Sequence, residues 1–304
     1  MTELEADRDR HPRMPDIPRR RGGARAWAPV AVVLLALAAE ARAGGDGPGA
    51  RRGFSAGPGE APLVLAPSAL GQSSSLDVYA VQRQRMVSQQ ILKRGIREER
   101  LIDAMNYVPR HEFVPREYRA KAYEDKPVPI DADTSISQPY IVALMTEALE
   151  LGEKETVLEI GTGSGYHTAI LSRLARRVYT IEIDPELGKK AKEKLRKFGY
   201  TNIEFRFGDG YAGWPSAAPF DAIIVNAAAP RIPQPLIDQL QVGGRMVVPL
   251  GQFLQDLVIL EKEEDGSVRQ QDVAPVRLPE MTGEVQGDQG AAADEPASRR
   301  RGSR

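Results

Sequence analysis

Three glycines at alternate positions, Gly161, Gly163 and Gly165, follow an apolar β-branched run and precede residues with helical apolar spacing. A backbone without Cβ lets a ligand come close, and the first N–H groups of the following helix have no partner within that helix. Thr162 and Ser164 fill the positions between the glycines, so the turn offers only small or hydroxyl-bearing side chains. One acid, Glu159, lies just before the turn, and a second, Glu182, lies near the end of the next apolar run. In a right-handed βαβ unit the two strand tips are side by side, which puts Glu182 within reach of the ribose hydroxyls of a nucleoside held over the glycines. An ordinary strand-turn-helix corner is the alternative reading, and it leaves the second acid unexplained.

The turn also bears on which nucleoside. A dinucleotide fingerprint is G-x-G-x-x-G/A, and here Tyr166 stands at its last position while the third glycine comes one residue early. That disfavours a pyrophosphate. Glu159 would repel phosphate but suits a cationic or ammonium-bearing ligand. The pattern E-x-G-x-G-x-G from Glu159 to Gly165 resembles motif I of the class I S-adenosylmethionine-dependent methyltransferases. The resemblance implies S-adenosyl-L-methionine as cofactor and S-adenosyl-L-homocysteine as product.

A second chemical group precedes Pro139. Thr134, Ser135 and Ser137 supply three hydroxyls and Gln138 an amide, just ahead of an amphipathic stretch at 141–151. Hydroxyls and free N–H groups at a helix start form a neutral cradle for a carboxylate. The same residues also suit a helix cap, which on their types alone is the favoured reading. A third acid, Asp209, stands between Gly208 and Gly210 at the end of the alternating run 203–207. Asp-Gly is a turn signal, but after two ligand-bearing strand tips the strand-end position favours a ligand role. Residues 227–233 are small and follow another buried strand, leaving room for a substrate main chain.

The elements that must position these groups follow from periodicity. Residues 78–93 read as a helix stopped by Gly95, and a short second helix carries Glu98 and Glu99 in its first turn. Prolines bracket 109–115, which reads as a turn or extended link, with His111 a surface or hinge residue rather than a ligand. Apolar runs beginning near 157, 177, 203, 220, 246, 257 and 273 give about seven strands, alternating at first with helices. The expected fold is α/β: a doubly wound, Rossmann-like seven-stranded sheet with helices on both faces and an N-terminal helical subdomain. Residues 1–75 are expected to be a signal-like, disordered extension, 76–150 the helical subdomain with the substrate loop, 151–284 the cofactor-binding domain, and 285–304 a disordered tail.

Composition narrows the classes further. The chain has 304 residues, a formal net charge of −1 and 41% hydrophobic content, enough for one sizeable core plus extensions. Balanced charge argues against nucleic acid as a partner. With no cysteine there is no disulfide or thiolate chemistry, and three histidines scattered in sequence give no zinc pattern, so no metal is expected. Arginine-rich residues 7–25, the apolar run 27–39 and Ala41-Arg42-Ala43 follow signal-peptide grammar, the run being too short for a comfortable span. Export is one reading; an over-extended GC-rich reading frame is the other. An exported enzyme would be cut off from a cofactor made and used inside cells, so a cytoplasmic location is expected, with periplasmic export as the alternative.

The sequence then passes from class to family. Ser135-Ile136-Ser137-Gln138-Pro139 is similar to the T-I-S-Q-P of the protein-L-isoaspartate O-methyltransferases, with serine where that family usually has threonine. Arg85-Met86-Val87, the V-P-R-H-E-F-V-P of 108–115, V-L-E-I-G-T-G-S-G-Y from Val157, Gly208-Asp209-Gly210, Asn226-Ala227-Ala228-Ala229-Pro230 and Gly243-Gly244-Arg245 follow in the family's order. The likeness spans about 81–283 and weakens at Arg277-Leu278-Pro279-Glu280-Met281, where a displaced proline and an acid obscure the register.

The resemblance implies methyl transfer to the free α-carboxylate of L-isoaspartyl residues in damaged proteins and peptides, which initiates repair. It implies cofactor contacts from Glu159, Gly161, Thr162, Gly163, Ser164, Gly165, Glu182, Asp209 and Gly210, with Asp209 facing the adenine. Ser135, Ile136, Ser137 and Ala228 are expected against the substrate, and Ser137 is the residue expected to hold its carboxylate. A monomer is expected. Rival readings are a class I methyltransferase acting on another small-molecule or protein carboxylate, and a non-catalytic adenosyl-binding protein.

Overall fold

The computed structural model describes residues 77–131 and 134–287. The signal-like segment, and the tail from 288, lie outside the described residues. Among the described residues no helix is long and apolar enough to cross a membrane.

The chain enters through α1 (Val78–Met86), whose N-cap Asp77 accepts from the Tyr79 N–H. The helix expected to run on to Lys93 changes pitch instead, through a π-helical turn at Val87–Ile91 and a 3₁₀ turn at Leu92–Arg94. Gly95, at φ 101°, ends it as expected. α2 (Glu99–Tyr107) follows, with Glu98 at the cap position and Leu101, Ala104 and Met105 buried. The proline-bracketed link is a 3₁₀ turn, Arg110–Phe113, and a further 3₁₀ turn covers Arg116–Lys121. Two short strands, β1 (Val128–Pro129) and β2 (Ser135–Ile136), pair antiparallel and present residues 134–137 ahead of α3 (Pro139–Leu149).

From there strand and helix alternate: β3 (Thr156–Ile160), α4 (Tyr166–Leu174), β4 (Arg177–Glu182), α5 (Pro185–Lys197), β5 (Ile203–Phe207) and β6 (Phe220–Val225). α6 (Gln234–Gln239), the long β7 (Leu240–Leu250), β8 (Gln255–Lys262) and β9 (Val268–Val276) complete the sheet. The spatial order is β5-β4-β3-β6-β7-β8-β9, parallel as far as β7 and antiparallel for the last two strands. The expected seven strands are all present. Because β4 and β5 lie on one side of β3 and β6 on the other, the winding reverses at β3, and the crevice for a ligand opens beyond its carboxyl end.

Alternation along the strands separates two apolar layers. Val157, Val178, Ala222, Ile224 and Val247 share one cluster with α1 to α4, while Leu158, Ile160, Ile181, Ile223, Val225 and Met246 belong to a second. The N-terminal helices are therefore continuous in packing with the sheet. The tail boundary expected after Glu284 moves outward by one turn, since α7 (Glu284–Gly287) is helical and Val285 is fully buried in the second cluster. Leu101→Ala, which empties a fully buried site shared by the helices and the sheet, should cost about 2–5 kcal/mol and keep unfolding a single transition. Denaturant melts followed by circular dichroism and by fluorescence check this, and two separate transitions would contradict the shared core.

Candidate active site

At the carboxyl end of β3 the backbone takes three left-handed steps, at Gly161, Gly163 and Gly165 (φ 90°, 54° and 86°). They need glycine for different reasons. A Cβ on Gly163 would meet nothing within 4 Å, because that position faces open space; one on Gly165 would come 2.9 Å from Leu195 Cδ1. Gly163 borders the open space, whereas Gly165 brings α4 against α5.

The open space is a cavity of about 310 Å³, within the usual range for small-molecule sites. Gly161, Thr162, Gly163 and Ser164 form one side, and Ile181, Glu182 and Ile183 stand at the tip of β4. Thr134, Ser135, Ile136 and Ser137, ahead of α3, and Gly210, beyond β5, also line the cavity. The Glu182 carboxylate lies over the glycines as the βαβ argument requires, with Oε2 accepting from the Gly163 N–H at 2.7 Å and Oε1 from the Asp184 N–H at 3.1 Å.

Four expected site residues stand behind the wall rather than on it. Glu159 is fully buried, since alternation along β3 directs it to the face occupied by α4. There it accepts from Thr168 (2.6 Å), Thr180 (2.7 Å) and Asn226 (2.9 Å). Gly165 is spent on helix packing. Asp209 accepts from the Tyr211 N–H (2.9 Å) and the Glu284 N–H (2.6 Å), so it ties the C-terminal segment to the strand end that carries Gly210. Ala228 is 2% exposed; its N–H donates to Pro279 O and its O accepts from the Met281 N–H, both at 2.7 Å. Its neighbour Ala227 is the one on the wall.

That pinning creates a wall the sequence did not announce. Pro279, Glu280, Met281 and Thr282 line the cavity too, in the stretch where the family pattern breaks down. A bridge from Ala228 to Glu280 carries them there. Tyr166, His167 and Asn226 are further lining residues left out of the expected site. Asn226 ends a buried strand, and that position was the signal available for it.

A buried polar chain links these residues. Asn226 Nδ2 donates to Glu159 Oε1 (2.9 Å) and to Gly161 O (3.0 Å), so its Oδ1 faces His167 Nδ1 at 3.0 Å. Nδ1 therefore carries an imidazole proton, and Nε2 lies 2.8 Å from the Thr146 hydroxyl, which donates to the Val142 carbonyl at 2.7 Å. Burial, only partly offset by the bond to Asn226, pushes His167 down to about 4, and it is neutral at pH 7. Burial pushes the Glu159 carboxyl up to about 7, against the pull of its three donors and with help from the Glu182 charge.

The capping reading of the hydroxyls fails. The cap residue of α3 is Gln138, with no side-chain bond to the helix; its amide donates instead to the Asp125 backbone (3.2 Å) and carboxylate (2.9 Å). Pro139 at the first helical position carries no N–H, so α3 starts with one fewer unpaired donor. Ser135 and Ser137 are left half-buried at the cavity.

Residues 81–286 match the family model described as protein-L-isoaspartate(D-aspartate) O-methyltransferase. A Geobacter metallireducens protein-L-isoaspartate O-methyltransferase is 52% identical over 206 residues, which cover 67% of this chain and 95% of that one. The chain belongs to this family. A solved protein-L-isoaspartate O-methyltransferase, 28% identical, superposes with a TM-score of 0.62 over 67% of each chain. A Plasmodium falciparum structure described as a beta-aspartate methyltransferase in complex with S-adenosyl-L-homocysteine, 21% identical with a TM-score of 0.59, shares the fold over 66% of this chain and 98% of that one.

In this methyltransferase the two buried titrating groups give opposite pH signatures. Between 4.5, the ordinary value, and about 7 the folded chain keeps a proton on Glu159 that the unfolded chain releases, so this group's contribution to stability falls as pH rises. His167 acts in reverse: its contribution is lost as pH falls from 6.5 towards about 4. Wild type should therefore lose stability relative to Glu159→Gln as pH is raised through that upper window, a difference that parallel denaturant melts measure. A difference independent of pH would contradict a buried, proton-holding Glu159.

Proposed function

We propose that this chain transfers a methyl group from S-adenosyl-L-methionine to the free α-carboxylate of L-isoaspartyl residues in damaged proteins and peptides. The observation that carries the reading is one cavity with two unlike ends: a glycine turn overlooked by Glu182, and a hydroxyl-lined loop at Ser135 and Ser137. The first end fits an adenosyl group. Gly163 leaves open space beside the backbone, Ile160, Ile181 and Ile183 give apolar surface, and Glu182 is the acceptor for ribose hydroxyls. Gly210, between Asp209 and the Tyr211 N–H that Asp209 accepts from, borders the adenine side. When bound, S-adenosyl-L-methionine supplies a sulfonium-activated methyl group.

The chain's own residues then have a positioning task. A carboxylate with an ordinary pKa near 4 is already ionised at pH 7, so no general base is required. This accords with His167, which is neutral and engaged on both nitrogens. Ser137 and the main chain beside it hold the carboxylate in line with the methyl group, and Ser135, Ile136 and Ala227 shape the slot for the substrate main chain. Bringing the two reactants together at fixed angles supplies up to about 7–11 kcal/mol of the barrier reduction. Glu159, from behind the wall, fixes the entry to the glycine turn through Asn226, which also holds the Gly161 carbonyl. We place the activity in the cytoplasm, where the cofactor is made, and in a monomer that does not engage nucleic acid, as the balanced charge favours.

Transfer of labelled methyl groups to an isoaspartyl peptide, with the normal aspartyl peptide as control, tests the reading. Only the isoaspartyl peptide should be methylated; equal labelling of both, or of neither, would overturn it. Ser137→Ala should lower kcat/KM for the isoaspartyl peptide about tenfold or more, the loss of one hydrogen bond to a charged group, while cofactor affinity stays nearly constant. Unchanged turnover would remove Ser137 from this role.

A further inference from the structure

Arg110 is fully buried in the 3₁₀ turn Arg110–Phe113 and is not on the cavity wall. Its Nε donates to Ala122 O at 2.6 Å and its Nη2 to Ser137 O at 2.7 Å, while the guanidinium lies 4.8 Å from the centre of the Tyr166 ring. Nη1 and the equally buried Tyr166 hydroxyl both lack a hydrogen-bond partner of normal geometry. Among the described residues no acid forms an ion pair with it. Burial lowers its pKa only to about 10, so it is charged at pH 7.

A buried charge without a counter-ion costs several kcal/mol, and apolar residues of the same volume would serve stability as well or better. The placement of this charge gives it another use. The Ser137 carbonyl is drawn back to Arg110, and in a planar trans peptide the next N–H, that of Gln138, points the opposite way. No backbone carbonyl among the described residues accepts from that N–H. Arg110 thus holds the carbonyl side of the Ser137–Gln138 peptide, and Ser137 itself borders the cavity.

We infer that Arg110 is a positioning residue for the substrate carboxylate: from behind the loop it turns the Ser137–Gln138 peptide so that the N–H and the Ser137 hydroxyl converge on the carboxylate. This rests on the reading of the cavity as a carboxylate methylation site. It also accounts for a cation set one peptide away from the nucleophile. A guanidinium in direct bidentate contact would hold the attacking oxygens as a tight ion pair, whereas acting through a peptide dipole it orients them and leaves one lone pair to react.

The test uses two competing peptides of one sequence, one with an isoaspartyl α-carboxylate and one with the corresponding α-carboxamide, as inhibitors of the full-length chain. Their ratio of inhibition constants does not depend on how much of a variant is folded. Wild type should favour the carboxylate at least tenfold. Arg110→Met should reduce that ratio to within about threefold of unity, with affinity for S-adenosyl-L-homocysteine changed less than about threefold; Arg110→Lys, which keeps the charge but not the fork, should fall between. A wild-type ratio near one would overturn the carboxylate site itself. A normal wild-type ratio retained in both variants, or a loss of cofactor affinity equal to the loss of preference, would overturn the role of Arg110 alone.

Discussion

A carboxylate with no exposure to water is tolerable only when its lone pairs are engaged, and Glu159 meets that condition with donors from three separate elements. Thr168 comes from α4, Thr180 from β4 and Asn226 from the end of β6. One side chain therefore ties the first βα unit to both neighbours of β3, at the level where the sheet opens into the cavity. The Gly161 carbonyl is held by the same Asn226 amide, so the entry to the glycine turn is fixed by this cluster. The glycines allow the turn its shape; the buried acid and its donors give it one position relative to β4 and β6.

Much of this was legible because it follows from backbone periodicity. The seven strands, the helix stop at Gly95, the glycine turn and the placing of Glu182 over it depend on spacing alone, and spacing is written in the sequence. Side-chain direction was harder to read. Glu159 is one residue out of phase with the wall, a distinction carried by the alternation of β3, and Asp209 and Ala228 were drawn away by the segment at 279–284 that returns over the sheet. That return is a contact between residues more than 50 positions apart, in a stretch whose local pattern departs from the family. Arg110 lay in plain view in the proline-bracketed link. Nothing local signals that its side chain crosses to Ser137.

The two ends of the cavity divide the chemistry unequally. The end proposed for the adenosyl group is built on strand tips and a tight turn, where the Glu182 carboxylate and the Gly161 carbonyl are internally engaged. The end proposed for the substrate carboxylate is built on two very short strands and the start of α3, with hydroxyls that serve no cap. Such a loop needs support, and it receives it from Arg110 behind Ser137 and from Gln138 bound to Asp125. A reaction whose nucleophile is already ionised asks for orientation rather than proton transfer, and both supports act on orientation.

The central claim is that the glycine turn and the acid at the tip of β4 form the adenosyl site. Calorimetric titration of S-adenosyl-L-homocysteine into wild type and into Glu182→Ala measures it directly. The account predicts one site per chain in wild type and at least about tenfold weaker binding, about 1.4 kcal/mol, in the variant. Equal affinity in the two proteins, or no binding to wild type, would contradict it.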